Sequence, residues 1–140
     1  MRIIIDTNVV ISAVFFGGYP RKVVEEVLNK GHTAYASKDI INEYNRVIEE
    51  MIKRKYGKID MILLSTLISK IIIINPTSNV GICRDPFDNM FINCAIDSEA
   101  LYIVSGDKDL LDIKQVGVTR VITAKDFCDK FIPSNKQQIA

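Results

Sequence analysis

Short apolar runs rich in β-branched residues alternate along this chain with longer stretches in which apolar residues recur every three or four positions. The first pattern is that of a strand buried on both faces, and the second that of an amphipathic helix. Ile3 to Ile5 is the first such run and is closed by Asp6. A helical stretch starts at about Thr7, is interrupted by Phe16-Gly17-Gly18-Tyr19-Pro20, and resumes at Arg21 with Val23, Val24, Val27 and Leu28, with Gly31 as its expected stop. Thr33 to Ala36 predicts a second strand. Ser37 can cap a long helix to about Lys55, with Ile40, Tyr44, Val47, Ile48 and Met51 on one face. A further helix is expected from about Ile59 to Lys70, then a third buried strand, Ile71 to Ile74, ended by Asn75-Pro76.

In the second half, Asp85-Pro86 has the form of an N-cap followed by Pro at the first helical position. The helix it opens carries Phe91, Ile92, Ala95 and Ile96 on one face. Leu101 to Val104 predicts the next strand, Asp109 to Ile113 a short helical turn, and Val118 to Ile122 a last strand. Thr123-Ala124-Lys125-Asp126 resembles a capping box opening a final helix. This alternation predicts an α/β sandwich with a mainly parallel central sheet. A single domain is expected over 1–132, and a polar, flexible tail over 133–140. In such sheets the site lies beyond the carboxyl ends of the strands.

Composition narrows the picture without deciding it. At 48% hydrophobic and 25% charged residues in 140, the chain is ordinary for a globular domain large enough to bury a core. A net charge of +1 excludes nucleic-acid binding by a bulk positive field, so any such binding rests on local groups. The three cysteines, Cys83, Cys94 and Cys128, contain no Cys-x-x-Cys pair and cannot form a closed disulfide set. Cys94 and Cys128 read as core residues, and reduced thiols imply a cytoplasmic protein. Asp6 breaks the opening apolar run too early for a signal peptide, and no run is long enough to span a membrane.

The candidate chemistry is acidic. Asp6 follows the first strand, and Asp107 follows the Leu101 to Val104 strand after Ser105-Gly106, so both project from one sheet edge if the strands are parallel. A simpler role for Asp6 is to cap the next helix through the N–H of Asn8 or Val9. Asp88 lies three, four and seven residues before Phe91, Ile92 and Ala95, on the core-facing stripe of its helix, where a solvated acid does not belong. Asp85 is explained as the cap. Glu43 flanks the apolar face of the long helix, and a boundary glutamate with a packed stem accounts for it equally well. Taken together the four change the balance. Two carboxylates 5 Å apart repel by roughly 3 kcal/mol at an effective dielectric near 20, so converging acids need a cation or must protonate. Oxygen ligands without a His or Cys set favour Mg²⁺ or Mn²⁺ over zinc, and such a cluster suits phosphodiester hydrolysis. His32, beside a strand edge, reads as a boundary residue.

The stretches that hold these acids resemble the PIN-domain nucleases. Ile5-Asp6-Thr7-Asn8-Val9 is similar to their first signature, Ile41-Asn42-Glu43-Tyr44 to their second acidic position, and Asp85 to Phe91 and Val104 to Leu111 to the third and fourth. The last two are close to the subgroup of toxin components of toxin–antitoxin systems, the VapC-like toxins. The motifs span Arg2 to about Phe127. The resemblance implies a three-layer α/β/α fold and an Mg²⁺- or Mn²⁺-dependent endoribonuclease that leaves 5′-phosphate and 3′-hydroxyl ends. By position it implies Asp6, Glu43, Asp88 and Asp107 as catalytic, metal-binding acids, with Asp109 as a further metal ligand or supporting acid. It also implies Asn8 and Ser105 as hydrogen-bonding groups for a ligand carboxylate or the phosphate. Thr7 is a weaker candidate, since a hydroxyl in a first helical turn often serves the backbone. The partners it implies are RNA, a small antitoxin and a second copy of the chain.

Substrate contacts are less defined. Lys53, Arg54, Lys55 and Lys58, beside Tyr56, either track an RNA backbone or form a solvated helix end suited to its dipole. Lys108 either meets a phosphate or balances the acids around it. Apolar residues near Tyr19 and from Ile59 to Ile68 serve either a dimer face or the core. Two other readings compete. A phosphoryl-acceptor enzyme would want Asp-x-Asp where Asp6-Thr7-Asn8 stands, or an Asp where Asn75-Pro76 ends the third strand. The other is an RNA- or protein-binding module that keeps the fold without catalysis, and RNA processing without an antitoxin is a variant of the nuclease reading.

Overall fold

Ile5 and Val104 lie side by side in the sheet, so the residues that follow them, Asp6 and Ser105, leave it together. The computed structural model describes residues 1–29 and 31–133. Its strands are β1 (Arg2–Ile5), β2 (Thr33–Ser37), β3 (Ile72–Ile74), β4 (Tyr102–Val104), β5 (Gln115–Val116) and β6 (Thr119–Ile122), in the order β3-β2-β1-β4-β6-β5. All neighbours pair in parallel except β5 and β6. The chain moves outward from β1 to β2 and β3, then returns to place β4 on the other side of β1. The strand order therefore reverses between β1 and β4, which is where an open α/β sheet forms its ligand crevice.

The helices are α1 (Thr7–Phe15), α2 (Gly18–Leu28), α3 (Lys38–Lys53), α4 (Met61–Lys70), α5 (Asn89–Ser98), α6 (Lys108–Ile113) and α7 (Ala124–Phe131). Most begin on a side-chain cap. Ser37 accepts from Ile40 N, Asp60 from Leu63 N, Asp107 from Asp109 N and Thr123 from Asp126 N, each satisfying an N–H that a helix start leaves unpaired. α5 packs against β1, β2 and β4, whereas α2 packs against α1, α4 and α7. The result is a three-layer α/β/α arrangement around a mostly parallel sheet. Ile3, Ile4, Ile5, Ile103 and Val104 are all buried at its centre, as continuous apolar runs predict for strands covered on both faces.

Several expectations need correction. The third apolar run is not a buried strand. β3 is a sheet edge, with Ile72 44% and Ile73 56% exposed, while Ile71 just before it is buried and Ile74 packs partly against the core. A β-branched run identifies a strand but not its place in the sheet. β5 was not expected, and it is a two-residue strand turning back through Gly117 at φ 58. Val118, expected to start the last strand, is exposed in that turn. α2 starts at Gly18 rather than Arg21, because Gly17 and Gly18 adopt φ of 89 and 69 and complete the turn early. Pro20 then falls in the first helical turn, where its missing N–H costs nothing. α3 stops at Lys53, short of Lys55.

Cys94 and Cys128 are buried as expected, and Cys83 is half-buried. His32 is a boundary residue stacked edge-on against Phe127, with ring centres 5.1 Å apart. No helix among the described residues is long and apolar enough to cross a membrane. Of the expected tail, 134–140 lies outside the described residues.

Candidate metal centre

Asp6 leaves β1 at the switch point and is almost fully buried. Its backbone N–H donates to Val104 O at 2.9 Å, tying it to β4. Its carboxylate accepts from Thr7 N at 2.7 Å and from Ser105 Oγ at 2.7 Å. Asp6 thus caps α1, through Thr7 rather than through Asn8 or Val9, and is bound across the switch point as well. Ser105, fully buried, accepts from Asp107 N at 2.9 Å while donating to Asp6. Of its two expected roles it takes the carboxylate-binding one. Burial raises the Asp6 pKa above the usual carboxylate value, against the lowering effect of the Ser105 and Thr7 hydrogen bonds.

Asp88 stands at the end of a 3₁₀ turn (Pro86–Asp88) that leads into α5. Pro86 fixes the backbone at the turn's start, and Asp85 Oδ1 accepts from Phe87 N at 3.0 Å. The turn aims Asp88 inward, where it is buried. Carboxylate oxygens of Asp88, Asp107 and Asp109 lie within 4.8 Å of one another. Asp88 Oδ2 is buried and has no hydrogen-bond partner. Burial first, then contact with Asp107 and the charges of Asp107, Asp6 and Asp85, push the Asp88 pKa up to about 7. Cys83 borders the same acids. Burial and their charge hold its thiol up at about 11, a neutral S–H at physiological pH.

An orphaned buried carboxylate oxygen beside two further acids fits a divalent cation. The donor set is oxygen, the choice of Mg²⁺, Mn²⁺ and Ca²⁺. Asp88, Asp107 and Asp109 are the residues that would hold it. Asp6 adjoins them through Ser105.

Glu43 lines the same 580 Å³ cleft as Asp6, Asn8, Asp88 and Asp107, but its carboxylate is held elsewhere. Arg46 grips it with two hydrogen bonds of 2.9 and 3.2 Å and reaches Glu50 at 2.8 Å. Glu43 therefore faces the three-acid group without joining it. Its backbone is fixed by Tyr44, whose buried hydroxyl donates to Ile5 O at the end of β1. Thr7 does not serve the backbone as expected, and its Oγ1 is buried without a partner. Asn8 is exposed at the cleft. Lys108 is exposed, and it is Arg84 that approaches Asp109, at 4.0 Å. The basic group at the end of α3 does not border the cleft. Lys53 is ten residues beyond Glu43, about 15 Å along the helix axis, and Lys58 lines a different hollow, with Arg21 and Asp60.

Sequence reasoning missed Arg46, Arg84 and Phe87. Arg46 was legible, since a cation three residues after Glu43 shares its helix face. Arg84 and Phe87 lie outside any periodic pattern.

Residues 2–109 match the family model described as PIN domain. That span contains Asp6, Glu43, Asp88, Asp107 and Asp109. A protein of Methanocaldococcus jannaschii described as uncharacterized is 33% identical over 143 residues, covering 94% of this chain and 92% of the relative. No solved structure matches the chain.

Proposed function

The chain belongs to the PIN-domain family, and from that premise we propose that it is an Mg²⁺- or Mn²⁺-dependent endoribonuclease working at the switch point between β1 and β4. PIN domains are typically nucleases, and the acidic group is present here. The observation that carries the reading is the buried Asp88, with an unpartnered Oδ2 and a carboxylate oxygen within 4.8 Å of ones on Asp107 and Asp109. A divalent cation there supplies Lewis acidity toward water and the phosphodiester. Asp88, Asp107 and Asp109 hold it. Asp6, oriented by Ser105, adds negative charge at the end of β1, and Glu43 completes the acidic lining once Arg46 releases it. Asn8, exposed in the cleft lining, and Lys108, exposed next to Asp107 in sequence, are assigned to the phosphate.

The finer reading is a VapC-like toxin, active as a homodimer in the cytoplasm and restrained by a small antitoxin whose tail enters the acidic cleft. The motifs Asp85 to Phe91 and Val104 to Leu111 support the toxin role. Exposed Tyr19, Met61 and Ile62 support the dimer, and the absence of a closed disulfide set supports the compartment. A short open reading frame with a DNA-binding pattern immediately upstream would favour the toxin role, and its absence would count against it.

Cleavage of single-stranded RNA with Mn²⁺ and with EDTA tests the enzyme assignment. The expected result is cleavage that requires metal and is lost in Asp6→Asn. Unchanged cleavage by that variant, or RNA binding without any cutting in Mn²⁺ or Mg²⁺, overturns it and leaves a binding module.

A further inference from the structure

A second hollow, of 410 Å³, opens beside the acidic cleft and shares Glu43, Arg46, Phe87 and Met90 with it. We propose that this hollow is a nucleobase subsite, in which one unpaired base of the RNA strand stacks on Phe87 while an adjoining phosphate lies against Arg46. The proposal rests on the ribonuclease reading and deepens it by assigning residues to the substrate.

Phe87 is 77% exposed. Scattered exposed apolar side chains are ordinary, but this ring stands on a fixed turn at the junction of two hollows. Pro86 sets the backbone before it, the Phe87 N–H donates to Asp85 Oδ1, and Asp88 N donates to Asp85 O at 3.0 Å. An aromatic ring on such a support is a stacking platform that loses little freedom when a base covers it. Its neighbour in sequence is Asp88, with Cα atoms about 3.8 Å apart. A base on Phe87 therefore fixes its own backbone close to the three-acid group.

The rest of the hollow suits a nucleotide. Of the five N–H groups of a guanidinium, Arg46 uses three on Glu43 and Glu50, so two are open to a phosphate while Glu43 is held, and four once it is released. Asn42 offers both a donor and an acceptor at the outer wall, and Asp39 an acceptor. Met90 and Pro86 add apolar surface to the lining of the same hollow. A base enters this space only when it has left its helical stack, which selects single-stranded RNA.

The test is a two-way cycle on steady-state cleavage of a short single-stranded oligoribonucleotide with Mn²⁺. Wild-type protein and Phe87→Ala are each assayed on the normal strand and on strands lacking one base at either position flanking the cleaved phosphate. Removing the ring raises KM about tenfold with kcat little changed, and so does removing the base at one of the two positions. Both removals together cost about tenfold, not a hundredfold, because they delete one contact. Phe87→Tyr keeps the wild-type KM. Additive losses, or a Phe87→Ala KM equal to wild type, overturn the subsite while leaving the nuclease in place. A wild-type protein that neither binds nor cleaves the strand overturns both.

Discussion

A carboxyl group buried beside Asp107 and Asp6 is harder to ionise than one in water, and at Asp88 the effect reaches about 7. The folded value is above the ordinary 3.8, so the metal-free fold favours the protonated form. Its stabilising contribution is complete below about pH 4 and is lost as the pH rises through about 7. Melting curves in EDTA are therefore expected to fall across that window for the wild type and to fall less for Asp88→Asn. Adding Mn²⁺ at about pH 8 should restore the wild type and not the variant. Parallel curves for the two proteins would show that Asp88 is not the strained acid. Arg46 poses a different question. Its pair with Glu43 is exposed to solvent, so Arg46→Ala should leave the melting temperature nearly unchanged. The same change frees a carboxylate at the cleft, so calorimetry should record tighter Mn²⁺ binding together with a higher KM for RNA. Unchanged Mn²⁺ affinity would mean that Glu43 does not turn toward the metal. At this scale the sequence disclosed Asp88 through its place on an apolar stripe, and Asp6 and Asp107 through strand ends. A carboxylate contact was expected of Ser105, but not which carboxylate: Asp6, 99 positions away, is brought to it by the parallel pairing of β1 and β4.

Among elements, α5 carries a polar stripe whose partners the sequence did not disclose. Asn89, Asn93 and Asp97 recur every four residues on it. They accept backbone N–H groups from Cys83, Val80, and Thr77 with Ser78, respectively. The irregular segment before the 3₁₀ turn is thereby strapped along the helix and delivered to Asp85 and Asp88 in a fixed position. Asn93→Ala removes the middle attachment. Hydrogen exchange read by mass spectrometry should speed up in 77–83 and stay unchanged across β1 and β4. Uniform acceleration throughout the chain would mean a global loss of stability instead. The sequence predicted α3 from its helical burial period and the central strands from continuous apolar runs. It missed β5 and misread β3 because the first is too short to show a period and the second follows the buried pattern while standing at an edge.

For the whole molecule, the reversal of strand order between β1 and β4 is what turns scattered acids into one site. With a net charge of +1, the proposed ribonuclease would hold RNA by a few local groups and not by a general field. The dependence of KM on salt should accordingly be shallow, in keeping with few phosphate contacts. The alternation of strand and helix made this architecture legible, but not which carboxylates meet. Asp88, Asp107 and Asp109 converge, Asp6 joins through a serine, and Glu43 is turned to an arginine. The chemistry proposed for that group is tested most directly by incubating RNA with the protein and reading the ends of the fragments. Water acting at a metal centre leaves a 5′-phosphate and a 3′-hydroxyl, so mass spectrometry of the fragments made in Mn²⁺ should find those ends and no cutting in EDTA. Fragments carrying a 2′,3′-cyclic phosphate and a 5′-hydroxyl would show attack by the neighbouring ribose hydroxyl and would contradict the account.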